Sequence, residues 1–186
     1  MIRKCDNADF HALLTIINDG AQAYKGVIPV DSWQDPYMSS EYLRNEISSR
    51  IEFSGYELGG SLVGIMGLQT REGVILIRHA YVRHDRQRRG IGTSLLRHLI
   101  TSVDKPILIG TWRSAIWALR FYEKNGFGVV PDLEKNRLLK KYWDIPFRQT
   151  EASVVLADDR ALKTIIRGIP ELPIHNRGGL KTPRMD

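Results

Sequence analysis

Two glycines separated by one residue stand between an apolar stretch and a helical pattern, an arrangement suited to binding phosphate. The segment is Gln87-Arg88-Arg89-Gly90-Ile91-Gly92, and apolar residues follow it at helical spacing from Leu95 to Val103. Glycines let a ligand approach the backbone closely. The first N–H groups of a helix have no partner within the helix, and the helix dipole places about half a positive charge there. The segment therefore predicts a phosphate site where a helix begins.

The spacing excludes two common phosphate-binding motifs. A dinucleotide-binding fingerprint needs a third Gly or Ala three residues after Gly92, where Leu95 stands. A P-loop needs Gly-Lys followed by Ser or Thr, whereas Thr93 follows Gly92 directly. The remaining pattern, Gln-x-x-Gly-x-Gly, is by itself also compatible with a tight turn between a strand and a helix. A second segment favours the ligand site.

Residues 118–127 read Ala-Leu-Arg-Phe-Tyr-Glu-Lys-Asn-Gly-Phe and predict a helix that carries a phenol. Ser114 can cap the start of this helix, and Gly126 can supply the left-handed residue that ends it. Two alanines beside a tyrosine leave room for a slender ligand along one face. The residues on that face are Ala115, Ala118, Leu119 and Tyr122.

Together the two segments resemble the acetyl-CoA loop and the tyrosine-bearing helix of the GNAT superfamily of N-acetyltransferases. The resemblance covers residues 1–157 and implies an α/β fold of mixed α+β type: a central mixed sheet of six to seven strands with helices on both faces. It implies direct transfer of an acetyl group from acetyl-CoA to a primary amine of a small-molecule or amino-acid-like acceptor. The alternatives are acetylation of a protein or peptide amine, and a non-catalytic acyl-CoA-binding regulatory domain.

The resemblance assigns Tyr122 as the general acid. A phenol of pKa about 10 stays protonated at neutral pH and can share its proton with the leaving thiolate. For the base, the candidate is His79, an imidazole of pKa about 6.5, with a structural histidine and a water chain as alternatives. Strand alternation would put His79 and Arg78 on opposite faces, but the family usually has a bulge here. One departure is Ala115, which stands where the family often has an asparagine near the pantetheine.

The resemblance also implies the residues that contact the two substrates. The expected acetyl-CoA contacts are Tyr81, Val82, Gln87, Arg88, Arg89, Gly90, Ile91, Gly92, Thr93, Ala118 and Tyr122. The expected lining of the acceptor cleft comes from Tyr24, Trp33, Arg78 and Trp112, with Tyr37 and the Leu138–Trp143 segment as further candidates. Trp112 would narrow the cleft and disfavour a bulky chain. No metal is expected, because the five histidines lack paired ligand spacing.

Length and composition indicate one enzyme domain followed by a short extension. A chain of 186 residues with 42% hydrophobic content can bury a core as a single domain. The single cysteine, Cys5, is typical of a reducing cytoplasm, and no apolar run approaches the roughly 18 residues of a membrane span. We expect an N-acetyltransferase domain over 1–157 and a C-terminal extension over 158–186. Its Gly- and Pro-rich end, 168–186, predicts disorder or irregular packing, with an arm docked on a homodimer partner as the alternative.

The net charge of +6 comes largely from arginines near the predicted phosphate loop. A nucleic-acid-binding protein would gain affinity from such a cluster. The cluster is centred on the loop, however, and steering of the phosphates of coenzyme A accounts for its position. We therefore expect an amine acceptor as the partner, and neither nucleic acid nor a membrane. The arginines between residues 78 and 98 are Arg78, Arg83, Arg86, Arg88, Arg89 and Arg97.

The elements that must position these residues follow from periodicity and turn signals. A strand over residues 1–5 and a helix capped by Asp6 precede a second helix from Ser39 or Ser40 to Arg50. Gly59-Gly60 predicts a hairpin turn. The predicted strands are 53–58, 62–69, 74–82, 106–110, 127–130 and 152–157, and the later helices are 92–103, 115–125, 134–143 and 158–167.

Overall fold

A seven-stranded sheet forms the centre of the computed structural model, which describes residues 1–143 and 145–167. Its strands are β1 (Ile2–Lys4), β2 (Ile51–Leu58), β3 (Ser61–Arg71), β4 (Val74–Val82), β5 (Ile107–Trp112), β6 (Gly128–Val129) and β7 (Ser153–Ala157). They lie in the order β1-β2-β3-β4-β5-β7-β6. Every neighbouring pair is antiparallel except β4 and β5, which run parallel. The predicted mixed sheet is confirmed.

Among the described residues, seven α-helices cover both faces of this sheet. They are α1 (Phe10–Ala21), α2 (Ser40–Ser48), α3 (Ile91–Thr101), α4 (Ile116–Lys124), α5 (Asp132–Tyr142), α6 (Phe147–Ala152) and α7 (Asp159–Arg167). Successive strand residues point to opposite faces. Ile75 and Ile77 of β4 therefore pack in one apolar cluster with α3, whereas Leu76 packs in another with α5. A third cluster joins α1 and α2 to β2 and β3.

Residues typical of turns and helix caps predicted the ends of several helices and strands correctly. Gly59 and Gly60 have φ angles of 59° and 76°, as the predicted hairpin turn requires. The side chain of Ser39 accepts a hydrogen bond from Tyr42 N at 3.0 Å and so caps α2. At the end of α4, Gly126 has a φ of 90°, and Phe127 N donates to Tyr122 O at 3.1 Å. This pattern is the predicted glycine-ended helix terminus.

One local prediction was wrong, and one helix was missed. Ser114 does not cap α4: the helix begins at Ile116, and Ala115 precedes it without a side-chain cap. Helix α6 was not predicted, because its six residues are too few to show a helical period. The chain instead enters α6 through Pro146, whose fixed φ suits the start of a helix.

Strand β4 carries a bulge, and the sheet opens between β4 and β5 just before it. Ile65 pairs with Tyr81 and Gly67 pairs with Arg78, so β4 has one more residue than β3 between these pairs. His79 lies in the bulge with a φ of 50°. Simple alternation along β4 therefore fails here. The parallel pairing of β4 with β5 ends at Ile77, although both strands continue.

The predicted helix at the start of the C-terminal extension is present and packs on the domain. Asp158 Oδ1 accepts hydrogen bonds from Ile107 N at 3.1 Å and from Ala161 N at 2.9 Å, which joins β5 to the first turn of α7. Ala161 is buried in the cluster that contains Leu76. The predicted tail over 168–186 lies outside the described residues. None of the described helices has the length and apolar character needed to cross a membrane.

Candidate active site

A groove of about 460 Å³ lies between the end of β4, the first turns of α3 and one face of α4. Its walls include every predicted acetyl-CoA contact except Arg89. At its centre Ala118 and Tyr122 of α4 face Tyr81 and Val82 of β4, where the sheet has opened. The aromatic side chains of Trp117 and Phe121 also line the groove. The groove is therefore long, largely apolar and bordered on one side by a strand whose pairing with β5 has ended.

The loop before α3 presents backbone N–H groups at one end of this groove. Arg88 and Gly90 have φ angles of 59° and 78°, and α3 begins at the next residue, Ile91. Among the described residues, the N–H groups of 88–93 find no acceptor, whereas Ser94 N donates to Gly90 O at 2.9 Å. Consecutive free N–H groups in such a loop form a concave anion-binding surface.

The side chain of Gln87 fixes this loop to the neighbouring strand. Its Nε2 donates to Val82 O at 3.1 Å. The contact links the loop to the last residue of β4, so it sets the distance between the free N–H groups and the strand edge. The sequence motif places a glutamine at this position, and its amide makes this contact between the loop and β4.

A second cleft, of about 600 Å³, lies beside the bulge of β4. The groove and the cleft meet at the four residues that line both: Tyr24, Ala80, Tyr81 and Tyr122. The ring of Tyr24 lies 6.3 Å from that of Tyr81 and 5.7 Å from that of Trp117, between the first helix and α4. We call these four residues the junction. Ligands in the two spaces would come into contact there.

Tyr122 is a buried phenol at the junction. Its side chain is only 6% exposed, and its ring packs edge-to-face on Phe121 and Phe127. Burial, together with the neighbouring Tyr24, raises the pKa of Tyr122 well above its ordinary value of 10. The phenol therefore keeps its proton at neutral pH and can act as a hydrogen-bond donor.

Three ionisable side chains form a cluster at the back of the cleft. Glu46 Oε2 lies 2.5 Å from His79 Nε2 and accepts a hydrogen bond from Arg78 Nη2 at 2.8 Å. Arg78 Nη1 also donates to Gln69 Oε1 at 3.1 Å, and Gln69 Nε2 donates to Ser49 O at 2.9 Å. Arg78 and His79 line the cleft, and Glu46 reaches them from α2.

The pKa values in this cluster follow from burial and pairing. Burial alone would raise the pKa of Glu46, but the hydrogen bond with His79 and the charge of Arg78 outweigh it and lower the pKa below 4.5. Burial lowers the pKa of His79 below 6.5, and the charge of Arg78 adds to this, although Glu46 acts in the opposite direction. At neutral pH the cluster therefore holds a carboxylate beside an uncharged imidazole.

Sequence reasoning missed Glu46, although one signal could have found it. Leu43, Glu46 and Ile47 lie on the same side of α2, and Leu43 is fully buried in the apolar cluster below it. A carboxylate on the buried face of an amphipathic helix needs a partner. That partner comes from a strand more than 30 positions away, and no local pattern reveals it.

The predicted acceptor-site residues divide into two groups. Tyr24, Arg78 and Trp112 line the cleft, and burial raises the pKa of Tyr24 to about 12. Trp33 does not line the cleft. It packs against Tyr37, with ring centroids 5.6 Å apart, in the apolar cluster behind the wall.

Trp143 forms a further wall of the cleft. Its ring covers the backbone of β5 at Gly110 so closely that a Cβ there would lie 3.2 Å from the indole. Leu139 of α5 also lines the cleft, so the predicted Leu138–Trp143 segment supplies two wall residues.

Comparison with known proteins identifies the family. A family model described as an acetyltransferase (GNAT) domain matches residues 19–139. The PaiA N-acetyltransferase from Thermoplasma acidophilum, solved in complex with coenzyme A, is 22% identical, with a TM-score of 0.65 over 85% of this chain and 97% of that chain. No curated protein sequence matches.

Two further solved structures share the fold. The ribosomal-protein-S18-alanine N-acetyltransferase from Escherichia coli is 18% identical, with a TM-score of 0.58 over 85% of this chain and 92% of that chain. N-acetylglutamate synthase from Neisseria gonorrhoeae, complexed with coenzyme A and N-acetyl-glutamate, is 20% identical, with a TM-score of 0.57 over 85% of this chain and 34% of that chain. The family model spans more than half of the sequence, and the described sheet and helices have the fold of these enzymes. The chain therefore belongs to the GNAT acetyltransferase family.

Proposed function

We propose that this protein transfers the acetyl group of acetyl-CoA directly to a primary amine of a small-molecule or amino-acid-like acceptor. The observation that carries the proposal is the junction, where a groove suited to a long phosphorylated ligand meets a separate cleft beside an imidazole. Direct transfer needs the thioester and the amine in contact at one point. Tyr122 and Tyr81 line both spaces at that point.

The groove supports acetyl-CoA as the donor. The free N–H groups of 88–93 would bind the pyrophosphate, and the first turn of α3 adds its dipole. The edge of β4 at Tyr81 and Val82 would pair with the pantetheine arm, which carries amides, in the manner of an added strand. Arg86 and Arg88 also line the groove and can reach further phosphates. Coenzyme A bound to GNAT neighbours of the same fold agrees with this assignment.

The chemistry needs a proton acceptor for the amine and a proton donor for the thiolate. An alkylamine of pKa about 10.4 is almost fully protonated at pH 7, and neutralising it costs on the order of 4–5 kcal/mol. In our proposal His79 accepts that proton. The amine nitrogen then forms a bond to the acetyl carbon and the carbon–sulfur bond breaks. Tyr122 gives its proton to the leaving sulfur, and the second proton that the nitrogen loses restores the phenol.

The walls of the cleft support a small acceptor. Trp112 and Trp143 narrow the cleft on the β5 side. Arg148 Nη1 donates to Asp31 Oδ2 at 2.9 Å, which joins wall segments that are 117 positions apart in the chain. Both residues line the cleft, so the pair adds to its enclosure, although an exposed ion pair contributes little stability. Acetylation of a protein amine is the second candidate, because a neighbour of this fold is named for that reaction.

A screen of acceptors, followed by the release of free coenzyme A, tests the proposal. The panel contains alkylamines, arylalkylamines, amino acids and peptides that begin with alanine. We expect turnover with small amines, and a loss of roughly 10²-fold in kcat for His79→Gln on the best of them. His98→Gln, an exposed substitution on α3, is the control and should keep full activity.

If only the peptides are acetylated, the acceptor is a protein or peptide amine and not a small molecule. Binding of acetyl-CoA without turnover of any amine would support a regulatory acyl-CoA-binding domain instead. Absence of acetyl-CoA binding would overturn the proposal.

A further inference from the structure

We infer that Glu46 is a positioning residue, whose carboxylate holds His79 in the one tautomer that leaves Nδ1 free to accept the proton of the acceptor amine. The inference rests on the proposed function for its catalytic meaning, but its geometry is independent of that function. Glu46 itself is not among the residues that line the cleft. It acts through His79.

The tautomer follows from the chemistry of the contact. An ionised carboxylate has only acceptor atoms, so the proton between Glu46 Oε2 and His79 Nε2 must be on the imidazole nitrogen. In an uncharged imidazole the other nitrogen, Nδ1, then carries the lone pair. The lone pair therefore belongs to a side chain that lines the cleft in which we propose that the acceptor amine binds.

The backbone and the packing hold His79 in this position. Its φ of 50° lies in the left-handed region, which a residue other than glycine adopts only where its surroundings impose it. The bulge thereby brings Arg78 and His79 to the same cleft, against the alternation of a regular strand. The ring of Phe53 packs on the imidazole at a centroid distance of 5.9 Å. The ring is therefore fixed on one side by Phe53 and at Nε2 by Glu46.

Arg78 completes the cluster by balancing the charge of Glu46. The exposed fractions of the side chains are 11% for Glu46 and His79 and 18% for Arg78, so water screens these charges weakly. An unpaired buried carboxylate would be costly, and the guanidinium offsets that cost through a charge-assisted hydrogen bond. Among the described residues, the other titratable groups near the cluster are Arg71 of β3, which is charged, and Tyr42 of α2, whose phenol is uncharged at neutral pH.

These charges act on His79 in opposite directions. Glu46 favours the protonated imidazole, whereas Arg78 disfavours it. Glu46→Gln should therefore lower the pKa that governs the acidic limb of kcat/KM, while Arg78→Met should raise it. Glu46→Gln should also reduce kcat by roughly 10²-fold, because a neutral amide no longer selects one tautomer. The control, Glu41→Gln, removes the same charge from the exposed side of the same helix and should change neither quantity.

Shifts of opposite sign would not arise from a merely structural cluster. If Glu46→Gln keeps the wild-type acidic limb and kcat, or if both variants move the limb in the same direction, the inference is overturned.

A second measurement does not depend on activity. Nitrogen-15 NMR of the imidazole distinguishes a protonated Nε2 from a protonated Nδ1 in the wild-type chain at neutral pH. We expect His79 as the Nε2–H tautomer in the wild type and a mixture of the two tautomers in Glu46→Gln. An Nδ1–H tautomer in the wild type would overturn the inference even in an active enzyme, and this arm remains decisive if Glu46→Gln fails to fold. An Nε2–H tautomer in a chain that acetylates no amine would instead overturn the proposed function.

Discussion

Tyr122 unites burial, position and chemistry in one side chain. Its ring is part of the apolar cluster beneath α3 and α4, and Tyr122 lines both the groove and the cleft. Its raised pKa makes the phenolate scarce at any physiological pH. In our proposal the phenol donates to the developing thiolate and does not act as a base.

We predict that Tyr122→Phe lowers kcat by roughly 10²-fold while the affinity for acetyl-CoA stays near that of the wild type. The ring keeps its packing on Phe121 and Phe127, so only the proton donor is lost. Steady-state kinetics and calorimetry measure the two quantities, and Tyr56→Phe on β2 serves as a matched control. A variant with wild-type kcat would remove Tyr122 from the chemistry, and a loss confined to KM would indicate substrate positioning.

Single residues of the site could be predicted from the sequence where their role depends on neighbours in the chain. They could not be predicted where the role depends on contacts between distant segments. The type and spacing of Gly90, Gly92 and Tyr122 sufficed to propose a donor site. Glu46 could not be paired with His79, because the contact depends on the packing of α2 against the sheet and on an extra residue in β4. The sequence also could not show that Trp33 packs against Tyr37, since aromatic residues in an irregular connection can pack inward or line a cleft.

At the scale of elements, the loop before α3 depends on backbone angles that side chains rarely allow. Gly90 has a φ of 78°, and a Cβ there would meet no atom within 4 Å. Replacing Gly90 by another residue would therefore destabilise the fold through backbone strain and not through a steric clash, by about 1–2 kcal/mol. Relief of that strain would rotate the peptide groups whose N–H groups face the groove.

We predict that Gly90→Val weakens acetyl-CoA binding by about tenfold or more, because it disturbs the free N–H groups of the loop. Calorimetry on the folded variant measures the loss. Gly60→Val is the matched control: Gly60 has a φ of 76° in the hairpin between β2 and β3, also without atoms near a Cβ. It should lose similar stability and keep its affinity. Equal affinities in both variants would show that the loop is only a turn.

The order of strands illustrates what periodicity cannot supply. The sequence predicted strands near β6 and β7 but not that β7 lies between β5 and β6. Pairing partners are chosen by tertiary contacts, here the ladder from Trp112–Ser153 to Leu108–Ala157. The bulge in β4 was implied by the family resemblance alone, and the opening between β4 and β5 was not predicted, because the residue types along a strand do not show where its pairing with a neighbour ends.

At the scale of the whole molecule, three buried or paired groups link stability to pH. The hydrogen bond from Arg3 lowers the pKa of Asp9, and the pKa values of Glu46 and His79 are also below their ordinary values. Each folded group then holds its proton more weakly than in the unfolded chain. Stability is complete above the unfolded pKa values and falls as pH drops through them, first for His79 below 6.5 and then for the carboxyls.

We predict that the melting temperature falls between pH 7.5 and 5 and that His79→Gln flattens this decline, because glutamine does not titrate. About 1 kcal/mol corresponds to roughly 2–4 °C in a chain of this size, so the difference in slope is measurable by calorimetry. His98→Gln on the surface of α3 should retain the wild-type slope. Identical slopes for wild type and His79→Gln would contradict a depressed pKa for His79.

The junction also has a kinetic consequence. Of the described residues that line the groove and the cleft, only Tyr24, Ala80, Tyr81 and Tyr122 line both, so in our proposal each substrate has a space of its own and both can be bound at once. Double-reciprocal plots at several fixed acceptor concentrations should therefore intersect and not run parallel. Label should not exchange between coenzyme A and acetyl-CoA while the acceptor is absent. A conjugate that links coenzyme A to the acceptor through the transferred carbon would occupy both openings at once and compete with each substrate.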